Sequence, residues 1–219
     1  METGRIEIKT VLISVVVAAV IEATLGIITS TGADSFSSMF LLGTARFLEA
    51  ALILLIVLNR EGRLSHIGLV PSGILSGLKR GLVWSAGFGT IVLLVSAALF
   101  AAGIDPLALI HTSLPAGRSD IALFFLVGGL VSPVAEEIFF RGIIYRFFRQ
   151  WGVFAAVALS TLAFVLSHPA GSGFPLPQIT GGILFAIAYE KEGNLTVPVT
   201  IHILGNIAIF SLSLATMEG

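Results

Sequence analysis

Glutamate, arginine, histidine and asparagine recur at helical spacing inside apolar stretches of this sequence. Glu136 and Glu137 stand with Arg141, Phe164 precedes His168 by four residues, and His202 precedes Asn206 by four. Ionisable groups are expensive inside a membrane span, so those that occur there mark function by default. Residues four apart share a helix face, so Glu137 can pair with Arg141, and the pair lowers the cost of keeping either charge. Glu136 is turned about 100° away and is left as a free carboxylate, the kind of group that serves as a general base. Pro133 lies three residues earlier, where it can loosen the helix and admit water. His202 and Asn206 offer two hydrogen-bond donors aimed at one spot, which a developing oxyanion requires. His168 closes an apolar run just before Pro169, at a helix end facing a cavity that Phe164, one turn back, could wall. Each group also has a plainer reading: an ion pair for the glutamates, core packing for Phe164, and interhelical hydrogen bonds for the histidines and Asn206.

A second polar set, Glu22, Arg46 and Glu49, falls in the first two apolar runs. Arg46 and Glu49 are three apart and can pair; Glu22 and Arg46 count to similar depth. A structural salt-bridge network is the favoured reading, with substrate recognition as the functional one. Other chemistries are excluded by pattern. His-Glu-x-x-His, Gly-x-Ser-x-Gly and phosphate-binding glycine loops are absent. Asp34, Asp105 and Asp120 map to loops or span edges, so no intramembrane aspartate pair forms. The chain has no cysteine, which removes disulfides and thiol nucleophiles.

These residues need elements that hold them in one place. The chain has 219 residues, 56% hydrophobic and 11% charged, against about 25% charged in soluble domains. Apolar runs near twenty residues match a hydrocarbon core roughly 30 Å thick. The pattern predicts an all-α, polytopic membrane helix bundle forming a single domain over 1–219, with seven or eight transmembrane helices. The spans fall at roughly 8–30, 38–58, 81–103, 121–145, 153–168, 178–190 and 195–215. The first is read as a span rather than a cleaved signal because its apolar run is too long for a signal core. Residues 61–80 read as an amphipathic helix in the interface, started or broken by Pro71. Glycines at 77, 81, 87, 89, 128, 129, 181 and 182 predict close helix packing. Arg5, Lys9, Arg60, Arg63, Lys79, Arg80, Arg146, Arg149 and Lys191 fall on one side and Arg118 on the other, which predicts a cytoplasmic N-terminus. No basic run suggests nucleic acid. Counted from Arg146, Glu136 lies about 15 Å from the inner edge, whereas His168, counted from Trp151, lies about 25 Å away. Their cooperation therefore demands tilt or a fifth span that begins deeper.

Glu136-Glu137-x-x-x-Arg141, Phe164-x-x-x-His168 and His202-x-x-x-Asn206, in this order, resemble the signature of the CPBP family, the CAAX-protease and bacteriocin-processing membrane proteins. The resemblance covers roughly residues 120–210, the expected catalytic core. It implies a glutamic-type intramembrane endopeptidase in which Glu136 activates water, His168 assists, His202 and Asn206 form the oxyanion site, and Glu137 and Arg141 support them. It implies no cofactor and no metal, a multi-pass location in a prokaryotic inner membrane, and a peptide or protein substrate with a membrane-associated C-terminal segment. Three alternatives stand beside it: a zinc-dependent protease using the same histidines and glutamate, a non-enzymatic immunity or scaffold protein, and a transporter with an interrupted helix at 169–182.

Overall fold

The computed structural model describes residues 6–30, 32, 34–110, 112–168 and 174–217. Among them every regular element is helical. Helix α1 is Ile8–Ser30, α2 is Ser35–Glu61, α3 is Ile74–Ala101 and α4 is Arg118–Trp151. Helix α5 is Val153–Leu166, α6 is Leu176–Glu192 and α7 is Thr196–Met217. Each predicted span coincides with one of these seven. Five helical stretches are long and apolar enough to cross a membrane: α1, α2, the stretch Leu64–Ala101 that includes α3, α4 and α7. Helix α5 is apolar but shorter, and α6 ends in Glu190-Lys191-Glu192.

Local chemistry sets the helix boundaries. Asp34 caps α2 by accepting the Ser37 N–H at 2.7 Å, and Gly62 ends it with a left-handed backbone. Asn194 accepts the Thr196 N–H at the start of α7 and donates to the Gly73 carbonyl at 2.8 Å. Residues 61–80 do not form a separate interfacial helix. Leu64–Ile67 and Pro71–Gly73 are short 3₁₀ turns, and the second runs directly into α3. Proline tolerates the first turn of a helix, where its missing N–H has no partner to lose, so Pro71 starts α3 instead of breaking an amphipathic element. Of the stretch 169–182, residues 169–173 lie outside the described residues, and 176–182 is unbroken helix.

One end of the bundle is a belt of ion pairs and hydrogen bonds. Arg60 meets Glu7, Arg80 and the Trp84 indole meet Glu192, and Arg149 and Tyr145 meet Glu190. Arg146 donates to the Tyr189 hydroxyl, which donates to the Ile67 carbonyl. This belt joins the starts of α1 and α3 to the ends of α2, α4 and α6, so these helices alternate in direction. The Trp84 indole and Arg80 hold the Glu192 carboxyl below the usual carboxylate range, against its burial. The stability from this link is therefore present above the ordinary carboxylate pKa and lost as pH falls through the lowered value. Just inside the belt lies the apolar core of Ile53, Val57, Ile67, Ile143, Tyr145, Tyr189 and Leu195.

Glycine has two uses along α3. Gly77 and Gly81 lie four apart against Thr196 and Thr200 of α7, also four apart. A Cβ on Gly81 would stand 2.5 Å from Thr200 Cβ, and one on Gly77 would stand 2.7 Å from Thr196 Cβ. This is small-residue packing of the predicted kind, repeated where Gly182 meets Thr161. Gly87 and Gly89 are the correction: nothing lies within 4 Å of a Cβ at either. Gly81→Val must push α3 from α7 and is expected to cost about 1–3 kcal/mol. Thermal unfolding in detergent measures this, with Gly87→Val as the control that leaves the midpoint in place.

Candidate active site

Helix α4 carries the glutamates on an irregular backbone. It widens to π-helical turns at Val127–Val131 and again at Ile138–Tyr145, with one α-helical stretch, Ser132–Glu137, between them. The Ser132 N–H reaches back to the Val127 carbonyl. In this register the next carbonyl, of Gly128, would accept from residue 133, which is proline and has no N–H. The Gly128 carbonyl instead accepts the Asn206 side-chain amide of α7 at 2.9 Å. Pro133 thus acts on the site by freeing an acceptor that holds Asn206, with the second amide N–H of Asn206 left over.

Glu137 and Arg141 are fully buried, with Arg141 Nη1 2.8 Å from Glu137 Oε1. The other Nη of Arg141 donates to the Gly182 carbonyl of α6 at 3.1 Å. Its guanidinium lies 4.9 Å from the Phe164 ring and 5.2 Å from the Phe185 ring, so a charge withdrawn from water is met by hydrogen bonds and two π faces. The same Glu137 oxygen accepts from His202 Nδ1 at 2.9 Å. Phe185 stacks on the His202 ring at 4.5 Å. Glu137 therefore holds Arg141 on one side and orients a histidine on the other.

His168 is oriented by a different partner. Its Nδ1 lies 2.8 Å from the Phe164 carbonyl, and Phe164, itself buried, packs on the His168 ring at 4.5 Å. A carbonyl only accepts and a carboxylate accepts, so Nδ1 carries the proton in both histidines. Each neutral ring then presents a bare Nε2. Both Nε2 atoms lie 3.7 Å from Glu136 Oε2, beyond hydrogen-bond range, and that oxygen is buried with no partner among the described residues. One carboxylate oxygen and two imidazole nitrogens thus face a single point.

The depth mismatch expected between Glu136 and His168 resolves through the length of α4. The helix does not end at Arg146 but continues to Trp151, and α5 begins two residues later after Gly152, whose φ is 106°. Glu136 precedes Trp151 by fifteen residues, and His168 follows Val153 by fifteen, two of them past the end of α5, so the two count to similar depth from that turn. Neither tilt nor a deeper start is needed.

Arg46 contacts Glu22 and Glu49 at 2.6 Å each, and α2 packs on the part of α4 that carries Glu136. Three participants were not singled out in the sequence: Phe185, the Gly182 carbonyl and the Gly128 carbonyl. The glycines and the Phe164 motif were visible, but Phe185 is one aromatic in an apolar run and carries no signal of its own. Among the described residues no group of three or more His, Asp or Glu side chains is placed to hold a metal ion.

The segment that carries all three motifs also decides the comparison with known proteins. Residues 118–208 match the Rce1-like family model, type II CAAX prenyl endopeptidase. This is the CAAX-protease family that the three motifs resemble. The Rce1-like match begins at the start of α4 and ends within α7, so it includes every residue of the Glu136–His168–His202 cluster and excludes Arg46. The chain is also 27% identical over 142 residues to an uncharacterized 24.3 kDa protein of Escherichia coli. That alignment covers 61% of this chain and 65% of the relative's length. No solved structure matches the chain.

Proposed function

We propose that this protein is an Rce1-like intramembrane endopeptidase, which hydrolyses a peptide bond near the C-terminus of a membrane-associated or lipid-modified substrate by a glutamate-activated water. The observation that carries this reading is the convergence of Glu136 Oε2 with Nε2 of His168 and His202 at 3.7 Å each. A water molecule spans such gaps. All three atoms are acceptors; two of them take the water's two O–H hydrogen bonds, and one proton passes to Glu136 as the water oxygen adds to the carbonyl. Glu136 is the general base and His168 assists. The oxyanion is met by the remaining Asn206 N–H and by His202 once the proton that Glu136 took from the water has passed to its Nε2. Glu137 stabilises that imidazolium from the Nδ1 side, and Arg141 holds Glu137 in place. The leaving amine recovers a proton from the same cluster, with no covalent intermediate.

The chain crosses the membrane seven times in this reading, with its N-terminus and the ion-pair belt on the cytoplasmic side of a prokaryotic inner membrane. The positive-inside bias and the alternating helix directions support it. The test is cleavage of a prenylated CAAX-type peptide by the purified protein in liposomes, with mass spectrometry of the released tripeptide. A sorting-tail peptide and a bacteriocin-type precursor are the comparison substrates. Absence of cleavage of all three by folded protein would overturn the reading and favour a binding role. A metal chelator is expected to leave the rate unchanged; parallel loss of bound zinc and of activity would replace the glutamate mechanism with a metal one.

A further inference from the structure

Arg46 offers a hydrogen-bonding edge that its ion pairs leave unused. Both carboxylates, Glu22 and Glu49, contact the same nitrogen, Nη1, at 2.6 Å. Nε is buried without a partner, and neither Nε nor Nη2 bonds within the described chain. The Nε–Nη2 edge is one of the two sides on which a guanidinium grips a carboxylate with two parallel hydrogen bonds. The two existing partners differ in kind. The Glu49 side chain is 5% exposed and belongs to the interior, whereas the Glu22 side chain is 45% exposed. Here the chain satisfies the charge through one atom and keeps the fork unbonded, on a side chain that is itself 20% exposed. Arg46 stands on α2, which packs on the α4 stretch that holds Glu136.

We propose that Arg46 is the receptor for the substrate's free C-terminal carboxylate, which docks two-pronged on the Nε–Nη2 edge and so measures the distance from the chain end to the bond cleaved at Glu136. This rests on the endopeptidase reading above and names what fixes the cleavage position. Glu49 keeps Arg46 in place, and Glu22 is the exposed partner that yields as substrate arrives. The recognised chemistry is a peptide with an unblocked terminal carboxylate. An internal loop or an amidated end lacks it.

The experiment compares binding of one fluorescent, prenylated CAAX-type peptide, as the free acid and as the C-terminal amide, to the full-length Glu136→Gln protein in detergent. Hydrogen bonds to a charged group are strong, so the acid is expected to bind about ten-fold or more tightly than the amide. Arg46→Gln alone would leave Glu49 buried and unpaired, so the paired variant Arg46→Gln with Glu49→Gln is used, and its acid-to-amide ratio should fall to near one. Glu22→Gln should keep the preference. Equal binding of acid and amide, or a preference that survives the paired variant, would overturn the proposal. Failure of both peptides to bind would remove it together with the substrate class. A preference for the acid in a protein that cleaves nothing would count against the hydrolase reading alone and leave the carboxylate receptor standing.

Discussion

Glu136→Gln is expected to abolish cleavage while leaving the fold as stable as before. The two halves of this result have separate causes. The activity falls because an amide cannot take a proton from water, and loss of a positioned general base is expected to cost roughly 10³-fold. The fold survives because Glu136 Oε2 has no hydrogen-bond partner among the described residues, and both histidine contacts are 3.7 Å long. Nothing that holds the bundle together is lost, and one buried carboxylate charge is removed. The neighbouring Glu137→Gln variant separates the roles of the two glutamates, because it should lower the thermal midpoint as well as the rate. Single-turnover cleavage in liposomes and thermal unfolding in detergent make the comparison. A Glu136→Gln protein that cleaves within a few-fold of the wild-type rate would remove Glu136 from the chemistry altogether.

Arg141→Ala is expected to be the most destabilising single change in the site. Arg141 is fully buried, and its loss strands Glu137, which is equally buried. Breaking a buried pair by removing one partner costs about 3–5 kcal/mol, because the remaining charge has no compensation. The variant also loses the bond to the Gly182 carbonyl and the packing between Phe164 and Phe185. Arg141→Lys is no remedy, since one ammonium lacks the planar spread that reaches both Glu137 and Gly182. The informative control is Arg141→Met with Glu137→Gln. This pair buries no charge, and glutamine can still accept from His202 Nδ1. Stability should return toward the wild-type value while activity stays low, because a neutral glutamine no longer stabilises a protonated His202. Recovery of stability without the second substitution would show that Glu137 does not depend on Arg141 as its buried partner.

The parts of this site that are legible in the sequence are those set by local helix geometry. The Glu137–Arg141 and Arg46–Glu49 pairs follow from spacings of four and three, and the structure places both partners within 2.8 Å. The apolar runs gave the helices in the same way, since length and composition are properties of one segment. What was not legible depends on how helices meet. His202 reaches Glu137 across 65 positions of sequence, and the stack of Phe185 on that ring follows from α6 lying beside α7. The reading of residues 61–80 as an interfacial helix failed for a related reason. Its apolar residues fit a helix face, but the Gly68 carbonyl accepts from the Leu195 N–H, and this tertiary contact ties the stretch into the loop before α7. The mismatch in depth between Glu136 and His168 arose because a basic residue, Arg146, was taken as the end of the span that carries Glu136. Arg146 is buried and satisfied by Tyr189, so its charge marks no boundary.

The two widened stretches of α4 have one more consequence. A π turn takes up an extra residue relative to an α turn, so it resets the rotational phase of all that follows. With one such turn before the glutamates and one after, the six residues Ser132–Glu137 are clocked independently of the helix on either side. The stretches of α4 on either side are then free to satisfy their own packing, while the acidic pair keeps its angular setting toward α5 and α7. Removing a single residue from Val127–Val131 would shorten the chain by one position without breaking it, yet it would turn that dial by a full residue step and present the wrong glutamate to the histidines.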